Sequence, residues 1–243
     1  LKQSTKNMNP EKLIQSVQRE LEENIDKKYQ KISKTFFKEK TNGLGVRIPI
    51  VRKIATKYYP EIKNLVKKDI WNICEQLLKK EDEFKTIAFD WSFRQKENFT
   101  KKDFEIFKNW SEKYVSNWST CDDFCTHSLG FLLFKFPELT IKTKKWAYSK
   151  NRWLRRATSV VLIYSLRKDK LLKEAFEVAD ILLEDEDDLV QKGYGWALKE
   201  AGNLQEEKIF QYIIKNKNKM PRTALRYAIE KMPAKLKKKA MKK

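Results

Sequence analysis

The sequence predicts an all-α fold, a curved solenoid of stacked helical pairs. Three observations lead there. Glycine and proline are scarce, six of each in 243 residues, so little interrupts helical segments. Apolar residues recur at intervals of three and four rather than alternating, the period of a helix with one buried face. And four segments, beginning at residues 84, 154, 190 and 221, repeat one loose pattern: an apolar residue or Pro, then basic or polar residues, then small residues. Repeats of about 33–47 residues are the signature of stacked helix pairs.

Taken in order, residues 1–9 are expected to be disordered. Pro10 stands where a helix can begin, because a first-turn residue needs no N–H partner. Leu13, Ile14, Val17 and Leu21 then mark one face. "TNGLG" at 41–45 is the clearest loop, and Pro49 opens the helix after it. Ile70, Ile73, Cys74 and Leu77 fit a second apolar face, and Phe84, Ile87, Ala88 and Trp91 a third; Phe107, Trp110 and Tyr114 continue the pattern. Pro137 and Pro221 mark further starts. "SVVLIYSL" (159–166) has the β-branched, apolar look of a strand. A solitary strand would leave its backbone unpaired, so it reads as a helix buried on several sides. The Lys-rich stretch 235–243 reads as a helix end or a flexible phosphate-binding arm, and no interdomain linker is evident.

Charge narrows the function. Lys and Arg number 53 against 33 Asp and Glu, a net +20, more than solubility requires. A phosphate-rich partner or an anionic surface is implied, but no apolar run reaches the roughly 18 residues of a membrane span. Cys74, Cys121 and Cys125 form no disulfide framework, which fits a reducing cytoplasm. Neither GxxxxGK[ST] nor GxGxxG occurs, so nucleotide-dependent chemistry lacks its usual signature and no cofactor is expected. The basic residues cluster at Arg47, Arg52 and Lys53, and again where repeat helices open, at Arg155, Arg156, Lys192 and Arg222. Equivalent positions in stacked repeats align, so these are expected to form a stripe. The acidic run "EDEDD" (184–188) reads as a solvated turn on the other side.

The stretch "NWSTCDDFC" (117–125) is the densest in chemistry. Trp118 and Asp122, four residues apart on a helix, share a face. An indole beside a carboxylate suits a cation; equally, Trp118 could be core and Asp122 a cap. Asp123 competes with Asp122 for any catalytic role. Cys121, Cys125 and His127 fall short of a four-ligand metal site, so buried thiols are the better reading and no metal is expected.

In combination, "NWSTCDDFCTHSLGFLLFKFPEL" (117–139), "WLRRAT" (153–158), "VQKGYGWALKE" (190–200) and "GVRIPIVRKIA" (45–55) resemble the signature regions of DNA alkylation repair glycosylases of the AlkD type. The resemblance implies a single domain of HEAT-like repeats over 1–243. It implies excision of N3- or N7-alkylated purines, such as 3-methyladenine and 7-methylguanine, from duplex DNA. By position, Asp122 would be the catalytic carboxylate, Trp118 and Trp196 the active-site indoles, and Arg156 the phosphate grip. Arg155, Lys192, Arg222 and Arg52 would add DNA contacts. "STC" (119–121) departs from the residues usual between that Trp and Asp. The implied partner is alkylated double-stranded DNA, bound by a monomer in the cytoplasm on the nucleoid, without cofactor or membrane. The alternatives are a non-catalytic HEAT-repeat protein that binds damaged or branched DNA, and a scaffold docking an acidic protein or RNA.

Overall fold

A computed structural model of the chain describes residues 9–39 and 41–242. Among them every regular element is helical and there is no strand, so the all-α expectation holds. No described helix is long and apolar enough to cross a membrane. The chain divides into two compact units, Leu1–Phe99 and Thr100–Lys243. The first holds α1 (Pro10–Glu23), α2 (Lys27–Ser33), α3 (Ile48–Tyr58), α4 (Lys67–Leu78) and α5 (Asp82–Arg94). The second holds α6 (Asp103–Tyr114), α7 (Trp118–Phe124), α8 (Gly130–Lys135), α9 (Thr140–Lys144), α10 (Arg152–Val160) and α11 (Ile163–Leu166). It continues through α12 (Leu172–Ile181), α13 (Asp188–Gly202), α14 (Glu206–Asn216), α15 (Arg222–Ala228) and α16 (Ala234–Met241).

In the first unit, Asn9 corrects an expectation. Its Oδ1 accepts from the N–H groups of Glu11 (2.9 Å) and Lys12 (3.3 Å), capping α1 and leaving Pro10 to start it. Residues 1–8 of the stretch expected to be disordered lie outside the described residues. Leu13, Ile14, Val17 and Leu21 are all buried, as are the expected faces of α4 and α5. Each buried Val, Leu, Ile or Phe among them stabilises the fold by roughly 1.5–3 kcal/mol. Helix α3 packs on α1 and α5, and α4 on α5. The Trp91 indole N–H donates to the Ala55 carbonyl at 2.8 Å, fastening α5 to α3. The 41–45 loop is held by Glu83 of α5. Its carboxylate accepts from the N–H groups of Leu44 (2.9 Å), Gly45 (2.8 Å) and Val46 (3.1 Å). Gly45 is required here: its φ is +95°, and a Cβ would lie 2.5 Å from Cβ of Gln30.

In the second unit, Phe107 and Trp110 of α6 pack against Phe124 of α7, with ring centroids 5.3 and 6.1 Å apart. Helix α10 packs on α7 and α13, and α13 on α15. Within both units, then, helices contact elements close in the sequence, as stacked repeats do. The four repeated segments fall on α5, α10, α13 and α15. "SVVLIYSL" is helical but broken: a turn at 161–162 separates α10 from α11, and Val160 through Ile163 are fully buried. The Lys-rich stretch is a helix, α16, up to Met241.

Candidate functional site

Local sequence fixes where α7 starts. Asn117 Oδ1 accepts from the Thr120 N–H at 2.9 Å while the Asn117 N–H donates to Thr120 Oγ1 at 3.4 Å, a reciprocal cap. Asn117, not Asp122, therefore caps the helix, and Asp122 is free to project sideways from its second turn. The helix runs on into a single π-helical turn, Cys125–Leu129. Gly130 follows because a Cβ there would lie 2.4 Å from the Cys125 carbonyl oxygen. Such turns disturb helical register next to functional groups.

Asp122 faces Arg156 of α10 in a two-pronged ion pair. Arg156 Nε donates to Oδ1 at 2.8 Å and Nη2 to Oδ2 at 2.7 Å. The remaining nitrogen, Nη1, donates to the Leu189 carbonyl at the start of α13. Arg156 is 6% exposed and Asp122 19%, so the guanidinium is sealed while the Asp122 side chain keeps some exposure. Burial raises the Asp122 carboxyl above its ordinary range, against the opposing pull of Arg156. Burial likewise works against the Arg156 charge, but Asp122 outweighs it and the guanidinium is held more firmly protonated. Gly193 of α13 makes room for this arrangement: a Cβ there would stand 3.2 Å from Arg156 Cγ and 3.1 Å from Ser159 Oγ. All three Arg156 nitrogens are thus engaged within the protein, two on Asp122 and one on the Leu189 carbonyl.

Trp118 lies one turn before Asp122 on α7 and is half-buried. Trp196, also half-buried, lies one turn beyond Gly193 on α13. Its indole N–H donates to Glu200 Oε1 at 3.0 Å. Glu200 is buried and accepts from Arg167 Nε at 2.9 Å, with Lys231 at 3.8 Å. Burial pushes its carboxyl up, but Arg167, Trp196 and Lys231 bring it below its ordinary value. Nothing in the sequence singles out Glu200 beyond its position four residues after Trp196.

Asp123 turns to His127, whose Nδ1 is 3.3 Å from Asp123 Oδ1 and 2.8 Å from its carbonyl oxygen. Cys121 and Cys125 are buried; Cys121 Sγ donates to the Trp153 carbonyl at 3.7 Å. A hydrogen bond with Cys121, together with burial, raises the Cys125 thiol well above its ordinary range. Among the described residues no group of three His, Cys, Asp or Glu side chains is arranged to hold a metal.

The acidic run corrects the picture of an open basic stripe. Asp185 pairs with Arg155 (2.7 Å), Asp187 with Arg152 (2.6 Å), and Asp188 with Lys192 (3.1 Å). Asp187 also caps α13 through the Leu189 N–H at 2.9 Å. The run is a set of clamps on α10 and α13, not a solvated turn remote from the basic residues. Arg52 is 3.5 Å from Asp90. Of the five cations expected to contact DNA, only Arg222 has no carboxylate partner among the described residues, and it is exposed.

A family model described as DNA alkylation repair enzyme matches residues 17–232. A solved structure described as a predicted DNA alkylation repair enzyme from Enterococcus faecalis is similar in fold, with a TM-score of 0.77 at 14% identity, over 87% of this chain and 98% of that one. No curated protein matches the sequence significantly.

Proposed function

The chain belongs to the DNA alkylation repair enzyme family, and from that membership we propose that it is a DNA glycosylase releasing N3- and N7-alkylated purines from duplex DNA. The observation that carries this reading is Asp122: a carboxylate in a nearly buried ion pair, its side chain 19% exposed, with an indole one turn away on the same helix. Alkylation makes the purine cationic and a good leaving group. As the bond from C1′ to the purine nitrogen breaks, its electron pair goes to the base, quenching that charge and leaving an oxocarbenium-like sugar. Asp122 stabilises the sugar cation and orients water, whose oxygen bonds to C1′ while its proton passes through the carboxylate to solvent. Trp118 and Trp196 shield the sugar from bulk water, an aromatic contact with a cation contributing about 0.5–2 kcal/mol. Arg156 fixes the Asp122 carboxylate in place, and its pairing offsets part of the charge offered to the sugar. A phosphate that draws the guanidinium aside would restore that charge. Packing of near neighbours within each unit fits the HEAT-like repeats of this reading, with a monomer acting on alkylated duplex DNA and no nucleotide cofactor.

The test is release of free 7-methylguanine from a modified duplex. Asp122→Asn should slow release by about 10²–10³-fold, the usual effect of removing one preorganised electrostatic group, with duplex binding retained and the helical circular dichroism unchanged. A wild-type protein that binds duplex and releases no base would instead establish the alternative, non-catalytic recognition of damaged or branched DNA.

A further inference from the structure

The net charge is concentrated at one end of the sequence. From Lys215 to Lys243 there are twelve Lys or Arg residues against a single acid, Glu230. Part of this run lines a cleft of about 480 Å³ formed by the turn after α14, the start of α15 and the end of α16. Lys217, Arg222 and Lys242 supply its charge, Asn218 an amide, and Met220 and Leu225 its apolar floor; among the described residues no carboxylate side chain lines it. Lys217 Nζ donates to the Lys242 carbonyl at 2.6 Å, which pins the end of α16 to the turn after α14. Among the described residues neither Arg222 nor Lys242 has a carboxylate partner. Like charges gathered without an acid repel one another, and an anion relieves that repulsion.

We propose that this cleft docks the phosphate backbone of duplex DNA, its three cations each meeting a phosphate, with α16 lying along the strand that leads to it. The spacing on α16 selects this partner. Lys235, Lys238 and Lys239 are exposed at intervals of three and one, and Lys242 continues the same face. At 1.5 Å per residue the row is roughly 10 Å long, over which a duplex presents about six negative charges. A membrane surface fits poorly, because an interfacial helix needs a large exposed apolar face and no exposed large hydrophobic residue lies between Lys215 and Lys242. Helix α16 lies beyond residues 17–232, which the family model matches. The inference rests on the proposed function only in taking DNA as the partner, not in any chemistry on the base.

The test uses undamaged duplex, so its outcome is independent of base release. The variant Lys217→Gln/Arg222→Gln/Lys242→Gln is compared with Lys31→Gln/Lys63→Gln/Lys68→Gln, which removes equal charge from exposed positions in the first unit. The cleft variant should bind at least about tenfold more weakly near 50 mM salt, and its slope of log K against log[salt] should fall by about 2–3, at about 0.9 per lost phosphate contact. The control variant should change neither appreciably. Should the triple variant unfold, Arg222→Gln alone should lower the slope by about 0.9. Equal weakening by both triple variants would mean diffuse attraction and overturn the proposal. So would loss of binding to inorganic phosphate or to anionic phospholipid vesicles with duplex binding unchanged.

Discussion

Arg156→Ala would strand Asp122 in a buried place without its counter-charge. Removing one partner of a buried pair costs about 3–5 kcal/mol. Because Asp122 keeps 19% exposure, the lower end applies, about 3 kcal/mol, or roughly 6–12 °C in Tm at 2–4 °C per kcal/mol; a thermal melt checks it. The raised Asp122 carboxyl carries a pH consequence. Its folded form holds a proton more tightly than the unfolded form, so ionising it costs stability at high pH, and that cost is relieved as pH falls through the raised pKa. Under the proposed mechanism base release needs this carboxylate, and should therefore fail on the acidic side at a higher pH than an ordinary aspartate, about 3.9, would give. A pH profile of single-turnover release reads this limb. The spacing of Trp118 and Asp122 was visible in the sequence, because four residues on a helix make neighbours. The Arg156 pairing, spanning 34 positions, was not; Trp196 and Glu200 have the same four-residue spacing, but only the fold brings Arg167 and Lys231 to that carboxylate.

Helix α13 carries two interior glycines, Gly193 and Gly195, each of which a helix ordinarily disfavours by about 1 kcal/mol. At Gly195 a Cβ would come within 2.7 Å of the Ala224 carbonyl oxygen, and backbone cannot swing away as a side chain can. Gly195→Ala should therefore lose more through overpacking, about 1–3 kcal/mol, than it gains in helix propensity, for a net loss near 1 kcal/mol by chemical denaturation. At Gly193 the neighbours are side chains at 3.1 and 3.2 Å, so Gly193→Ala should be close to neutral in stability yet slow base release by displacing Arg156. Helix starts were legible at Pro10 and Pro221, whereas the side-chain caps at Asn117 and Asp187 emerge only from the folded chain. The break at 161–162 was not legible either, since nothing in a run of buried apolar residues announces it and only packing against neighbouring helices decides it.

For the whole molecule, a net charge of +20 forecast a polyanionic partner but not where the charge acts. Carboxylates neutralise much of the expected stripe, and only the folded chain reveals that Asp185, Asp187 and Asp188 reach back to α10 and along α13. Most of the unopposed charge available to a duplex lies after residue 214. The fold class and family were legible because helical periodicity and the order of several motifs are properties of the whole chain, which no single motif carries.

Glu83 gathers three backbone N–H groups of a loop that precedes it by 38 residues. During synthesis those three N–H groups must wait for Glu83: Gln30 and Asp26 can already donate to the carbonyls of Leu44 and Gly45, but the carboxylate that gathers the N–H groups arrives only with α5. The bend before α3 is thus written into a residue made later than the bend itself.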